Sequence, residues 1–280
     1  MKPSLERVAL AEIYELQVHR EQRQGRNGEV LGRGAGTSTD FLDHRPYNAG
    51  DDIRRIDWRA YARTDQLLLK RYQEEIRPMV EIWLDNSASM KISEDKAQLA
   101  LDLACFFSRV CQNIGIDHRI RLLGEGTSQS ERLFAGDVSF AGQEDLGVSI
   151  QREQLSVARG AHVIVLSDFL SAHDPQRLVS GVMHRAATMT GIQILGFEDL
   201  NIEEGSSILL QDSESGEMIE IDLDAASIAA YHRRLTQVQD DLERELFHRG
   251  GHLLVWPATN PFQMGLNQMV ATGVLSLSAF

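Results

Sequence analysis

Residues 84–89 read LDNSAS and follow the apolar run MVEIW. They place Asp85, Ser87 and Ser89 at alternate positions just past a stretch that reads as a buried strand. A second apolar run ends in LSDFL, residues 166–170, with Asp168 just beyond it. All four side chains offer oxygen. Carboxylates and hydroxyls suit hard cations such as Mg²⁺, Ca²⁺ or Mn²⁺. Alternate positions in a loop past a strand can turn their side chains to one side. Two hydroxyls and two carboxylates make a site of modest charge, in which Mg²⁺ would keep several waters and leave room for an outside ligand. The plainer reading is that Asp85 and Ser87 only cap the turns that follow.

Four near-continuous apolar runs could carry such loops: MVEIWL (79–84), HVIVLS (162–167), IQILGF (192–197) and HLLVW (252–256). Their β-branched content suits central strands of a parallel sheet covered on both faces. IDHRIRLL (116–123) predicts a further strand. Helical patterns lie between them over 94–114, closing at Gly115, over 175–189, and over 225–248, stopped by Gly250-Gly251. The segment 208–222 reads as a hairpin around Ser-Gly. Strands alternating with helices predict a doubly wound α/β domain from about 79 to 257, and such sheets bind ligands at the carboxyl ends of their strands. Upstream, Leu5, Val8, Ile13, Leu16 and Val18 suggest an amphipathic helix over 3–24, followed by a glycine-rich loop over 25–40. The stretch 41–77 is dense in Arg and Asp and reads as irregular or short-stranded. The expected organisation is therefore 1–78, 79–257 and a tail, 258–280.

The formal charge of −13 is uneven: residues 1–79 carry 14 Lys/Arg against 13 Asp/Glu, and the remainder 14 against 28. A globally acidic chain is a poor nucleic-acid binder. No apolar stretch approaches the roughly 20 residues of a membrane helix, and the N-terminal stretch lacks the apolar core of a secretory signal, so a cytoplasmic protein is expected. Cys105 and Cys111 lack CxxC spacing and read as reduced thiols packed in a helix.

DNSAS resembles the DxSxS metal-ion-dependent adhesion motif of von Willebrand factor type A domains. The upstream run FLDHRPYNAGDDIRRIDWRAYARTDQLLLKRYQEE, with its GDDIRRIDW core, closely resembles the signature of the bacterial domain-of-unknown-function 58 family. The likeness spans roughly residues 30–257. It implies a von Willebrand type A fold; the N-terminal helix read from the apolar spacing and the last twenty-odd residues fall outside the likeness. It implies Asp85, Ser87 and Ser89 in a first metal loop and Asp168 in the last; the ion expected of these oxygen donors is divalent, Mg²⁺ before the others. It also implies a MoxR-type AAA+ ATPase as partner and a role in maturing or remodelling a client protein. The chain departs from the motif at its middle threonine: the region reads SFAGQEDLGVSI, with Gln143, Glu144 and Asp145 after Gly142 and Ser139 as the nearest hydroxyl. Glu144 or Asp145 in the threonine's place would give the ion a direct negative ligand and weaken its pull on an incoming carboxylate.

Trp58 and Tyr61 lie among Arg54, Arg55, Arg59 and Arg63, the residue types that anchor interfaces. They also suit an internal role, with Arg54 and Arg55 paired to Asp51, Asp52 or Asp57 and Trp58 packed on the α/β domain. There is no HExxH, no phosphate-loop Lys-Ser/Thr after GRGAG and no G-x-S-x-G elbow. Three functions remain. The first is a non-enzymatic interaction module that receives a partner's acidic side chain through an ion. The second is a metal-independent scaffold with a decayed ion site. The third is a Mg²⁺-dependent phosphatase, since Asp85 after a strand resembles the nucleophile of haloacid-dehalogenase-like enzymes. Ser87 stands where their general acid would be, and no lysine is obviously placed to neutralise a phosphoryl group.

Overall fold

In a computed structural model of the chain, the described residues are 1–18, 41–48, 50–72, 79–123, 125–128, 130–142, 144–171, 174–202, 204–205, 207–211, 218–222 and 224–278. They fall into two compact units, one of Met1–Glu21 with Pro78–Phe280 and one of Gln22–Arg77. The opening residues and the last 23 therefore belong with the large unit. The expected glycine-rich loop, 25–40, lies outside the described residues.

In chain order the large unit begins with α1 (Leu5–Ala9), a 3-10 turn (Leu10–Ile13) and β1 (Tyr14–Leu16). The second unit follows with β2 (Phe41–Pro46), a 3-10 turn (Ile53–Arg55), α2 (Trp58–Thr64) and β3 (Leu68–Tyr72). The large unit resumes with β4 (Met79–Asp85), α3 (Glu94–Asn113), β5 (Asp117–Leu123), β6 (Gly126–Ser128), α4 (Ser130–Ala135) and α5 (Leu146–Glu153). It continues with β7 (His162–Ser167), α6 (Pro175–Met183), β8 (Thr188–Leu195), α7 (Phe197–Leu200), β9 (Ser207–Gln211) and β10 (Met218–Asp222). It closes with α8 (Ala225–Phe247), β11 (His252–Pro257), α9 (Phe262–Ala271) and β12 (Leu275–Leu277).

Among the described residues, six strands form the main sheet in the order β11-β8-β7-β4-β5-β6. The first five are parallel and β6 is antiparallel. Period-2 alternation divides each central strand between two faces. Val80, Ile82 and Leu84 of β4, with Ile164 and Leu166 of β7, join one core containing α3 and α9. Trp83, Val163 and Val165 join the other, with residues of α5, α6 and α8. Burial on both faces explains the uninterrupted apolar runs. The fold is doubly wound α/β. From β4 the chain crosses to β5 on one side and later to β7 on the other, so the switch point of the sheet lies at the carboxyl ends of β4 and β7.

The predicted strands and the long helices correspond to observed elements, and β9 and β10 form the antiparallel pair expected over 208–222, residues 212–217 lying outside the described ones. The third apolar run is longer than expected: its strand starts at Thr188 and ends at Leu195, with Gly196 capping α7. The predicted helix over 175–189 accordingly stops at Met183. The helix expected over 3–24 is corrected. It ends at Ala9, and Tyr14 and Leu16 are buried as alternate residues of a strand paired with β12. Backbone pairing to a distant segment overrides the local helical spacing there, and residues 19–24 lie outside the described ones. In the second unit, the irregular reading of 41–77 missed α2, which Asp57 caps by accepting from the Arg59 and Ala60 amides. Cys105 and Cys111 are free and buried in α3, where burial pushes each thiol up to about 12.

Candidate functional site

The strand β4 ends in Asp85, 4 % exposed. One carboxylate oxygen, Oδ2, accepts from Ser167 Oγ at 2.6 Å, and the other accepts from the Ser87 amide at 2.9 Å. Burial raises the Asp85 pKa above its ordinary 3.8; the hydrogen bonds from Ser167 and Ser87 oppose that, and the nearby Asp168 charge adds to it. Ser87 and Ser89 are half-buried, and their hydroxyls lie 3.0 Å apart. The loop is locked to the segment before α5. Ser87 bridges to Gly142, the Ala88 amide donates to Gly142 O at 2.9 Å, and the Gly142 amide donates to Asn86 O at 3.0 Å. A Cβ at position 142 would stand 3.2 Å from Asn86 O, so glycine permits this close approach. Asn86 reaches further, donating from Nδ2 to Glu125 Oε1 at 2.7 Å.

Asp168 follows β7 and is 2 % exposed. Phe169 beside it holds a left-handed φ of 53°, which is costly for a side chain with a Cβ. Its burial and a bond from its amide to Ser167 Oγ, 3.0 Å, over-determine that conformation. Asp168 Oδ2 forms an ion pair of 2.8 Å with Lys96 Nζ. The same ammonium donates to Asp199 Oδ2 at 2.9 Å, and Asp199 in turn accepts from the Gly196 amide. Lys96 lies in the first turn of α3 and is 1 % exposed. Burial by itself would lower its pKa, but Asp168 and then Asp199 outweigh that and hold it above 10.5.

The structure thus brings together Asp85, Ser87, Ser89 and Asp168, along with Ser167 and Lys96. It turns the acids of the middle loop elsewhere. Glu144 accepts from Ser149 Oγ and from Arg152 Nη1 at 2.9 Å. Asp145 caps α5 through the Gly147 amide at 2.7 Å. Gln143 lies outside the described residues. In the second unit, Asp51 pairs with Arg45 and Asp57 with His44 and Lys70, in place of the Arg54 and Arg55 partners expected. Trp58 stands edge-on to Tyr61, ring centroids 6.2 Å apart, and both are exposed.

Compared with known proteins, residues 43–241 match the family described as Protein of unknown function DUF58. The chain belongs to the DUF58 family. Its relatives include uncharacterized proteins of Mycobacterium bovis and Mycobacterium tuberculosis, 26 % identical over 255 residues, covering 81 % of this chain and 77 % of theirs. Among solved structures it is similar to the conserved hypothetical protein BatB from Bacteroides thetaiotaomicron, with TM-score 0.41, 16 % identity, and 70 % of this chain and 98 % of that one covered. It is also similar to an aerotolerance-related membrane protein from Bacteroides fragilis, with TM-score 0.36, 15 % identity, and 69 % and 98 % covered. Among the described residues of this DUF58 protein, no helix is long and apolar enough to cross a membrane.

The divalent ion implied by the DxSxS loop does not fit the side chains of this DUF58 protein. Both Asp85 oxygens are engaged, and Asp168 already neutralises an ammonium. Among the described residues no group of three or more His, Cys, Asp or Glu is arranged to hold a metal. A divalent ion on Asp168 would lie beside the Lys96 charge. At about 4 Å and an effective dielectric of about 20, unit charges repel by about 4 kcal/mol, and a divalent ion doubles that. A lysine that the sequence reading did not single out, Lys96, lies at this edge. It is buried and paired with two carboxylates. A sequence signal existed: Lys96 falls on the same helical stripe as Leu99, Ala100 and Leu103, all buried.

Proposed function

We propose that this DUF58 chain is a non-enzymatic protein-interaction module that partners a MoxR-type AAA+ ATPase in maturing or remodelling a client protein. The reading treats the large unit as a von Willebrand factor A-like domain whose recognition edge is the Ser87–Ser89 loop. The observation that carries it is the locking of that loop at the sheet's switch point. Ser87 and Ser89 keep part of their surface, while Asp85, behind them, spends both oxygens on internal hydrogen bonds. Hydroxyls on a rigid loop suit hydrogen bonding to a partner. An Asp with both oxygens engaged and its ionised form disfavoured is a poor nucleophile, which argues against the phosphatase reading. The adhesion-type version of the proposal routes an acidic partner side chain through Mg²⁺, and the poor fit of the ion favours a metal-independent contact at the same edge. Arg54, Arg55, Trp58 and Arg59 offer a second surface rich in residue types that anchor interfaces.

The test is capture of the MoxR-type ATPase encoded in the same genome by the immobilised full chain, with and without EDTA. Capture by wild type in both buffers, lost in Ser87→Ala/Ser89→Ala at unchanged melting temperature, supports the proposal. Equal capture by the variant moves the contact off this edge. Capture abolished by EDTA restores the ion.

A further inference from the structure

We propose that Lys96 is a built-in cation that takes the divalent ion's place at this sheet edge and keeps such an ion out. The inference deepens the reading of the same edge, but it concerns the edge's own charge and holds whichever protein docks there.

A lysine on the buried stripe of a helix is a poor choice for packing, since its charge must be desolvated. It is retained here with two compensating carboxylates that come from separate segments, Asp168 after β7 and Asp199 in α7. Asp85 lies close enough for the Asp168 charge to act on it. The edge therefore sets two carboxylates on one ammonium, with Asp85 and the two serine hydroxyls on the adjoining loop, where Asp85 accepts from Ser167, the residue before Asp168. Without the ammonium, those oxygens are the kind of donor set that hard cations take. A divalent ion exchanges with solvent and offers open coordination positions to a partner. An ammonium tethered to α3 does neither. It is 1 % exposed and spends its contacts on Asp168 and Asp199. Lys96 is thus a positioning residue: it neutralises and orders the acids behind the loop, and leaves the exposed part of Ser87 and Ser89 as the contact surface.

The experiment titrates chelator-stripped full-length chain with Mn²⁺ and reads the free-ion signal by electron paramagnetic resonance. Wild type is expected to leave the signal as in buffer. Lys96→Met, close in shape but uncharged, is expected to deplete it, and Lys96→Met/Asp168→Asn to restore it. Wild type that depletes Mn²⁺ and stops doing so as Asp168→Asn overturns the proposal. So does a folded Lys96→Met that leaves the signal unchanged, with folding checked by circular dichroism. If Lys96→Met does not fold, Lys96→Arg decides with wild type: both silent supports a resident cation, and Mn²⁺ uptake by either overturns it. Partner capture is not a readout here, so a failed ATPase pull-down and a failed cation assignment remain separate results.

Discussion

Among the described residues of the large unit, one cation is buried between two carboxylates in two places. In the body of the sheet, Arg121 of β5 donates from Nε to Glu81 Oε2 and from Nη1 to Glu153 Oε2, both at 2.9 Å. Glu81 also accepts from Trp83 Nε1 at 3.1 Å and from the Ala158 amide at 2.8 Å. At the sheet's carboxyl edge, Lys96 lies between Asp168 and Asp199. The charge arithmetic is the same and the chemistry differs. A guanidinium is a rigid fork that fixes β4, β5 and the end of α5 in register, whereas an ammonium is a compact point charge, closer in kind to a metal ion. The first cluster joins strands that are already covered. The second lies behind a loop whose hydroxyls keep part of their surface. A buried charge triad is therefore not by itself a sign of a site, and its position relative to the strand ends is what distinguishes these two.

The sharpest way to break the comparison is to remove each cation. Arg121→Met removes the buried cation between Glu81 and Glu153, and urea unfolding is expected to show a loss of about 3–5 kcal/mol. Lys96→Met is expected to fall at the lower end, about 3 kcal/mol, because Asp199 keeps 12 % of its side-chain surface. The two should then part company on adding Mg²⁺. An ion at about a hundred times its dissociation constant contributes about 2.7 kcal/mol, which Lys96→Met can recover and Arg121→Met cannot. Equal rescue of both, or of neither, would erase the distinction.

A smaller effect belongs to the donors around the staple. Trp83→Phe removes the N–H to Glu81 while keeping much of the ring, and a loss of about 1–3 kcal/mol is expected by the same unfolding measurement. Asp85 gives a pH signature instead. Its folded pKa is raised, so the native state holds the proton more tightly than the unfolded chain. The associated stability is present below 3.8 and is lost as pH rises through the folded value. Asp85→Asn should flatten that falling limb when unfolding free energy is followed from 3.8 upward; an unchanged limb would assign it to another group. Smallest of all, Ser87→Ala should stay within about 0.5 kcal/mol of wild type in stability, because it removes a half-exposed hydroxyl.

Much of this protein was legible in its residues. Four apolar, β-branched runs required a sheet buried on both faces, and their alternation with helical segments required parallel crossovers, so the doubly wound class and the strand-end positions of Asp85 and Asp168 followed from local pattern alone. Local pattern misread the start of the chain, since Tyr14 and Leu16 answer to a strand some 260 residues away in sequence. It also missed the buried cation at the sheet edge. Lys96 reads as one more charge in SEDKAQ, and Glu144 and Asp145 read as spare ligands. Only the tertiary structure delivers Asp168 and Asp199 to the Lys96 ammonium and turns Glu144 toward Arg152. Periodicity reports which face of an element is apolar; it carries no record of which distant charges will share a desolvated space, and in such a space that pairing decides whether a carboxylate is left for a metal.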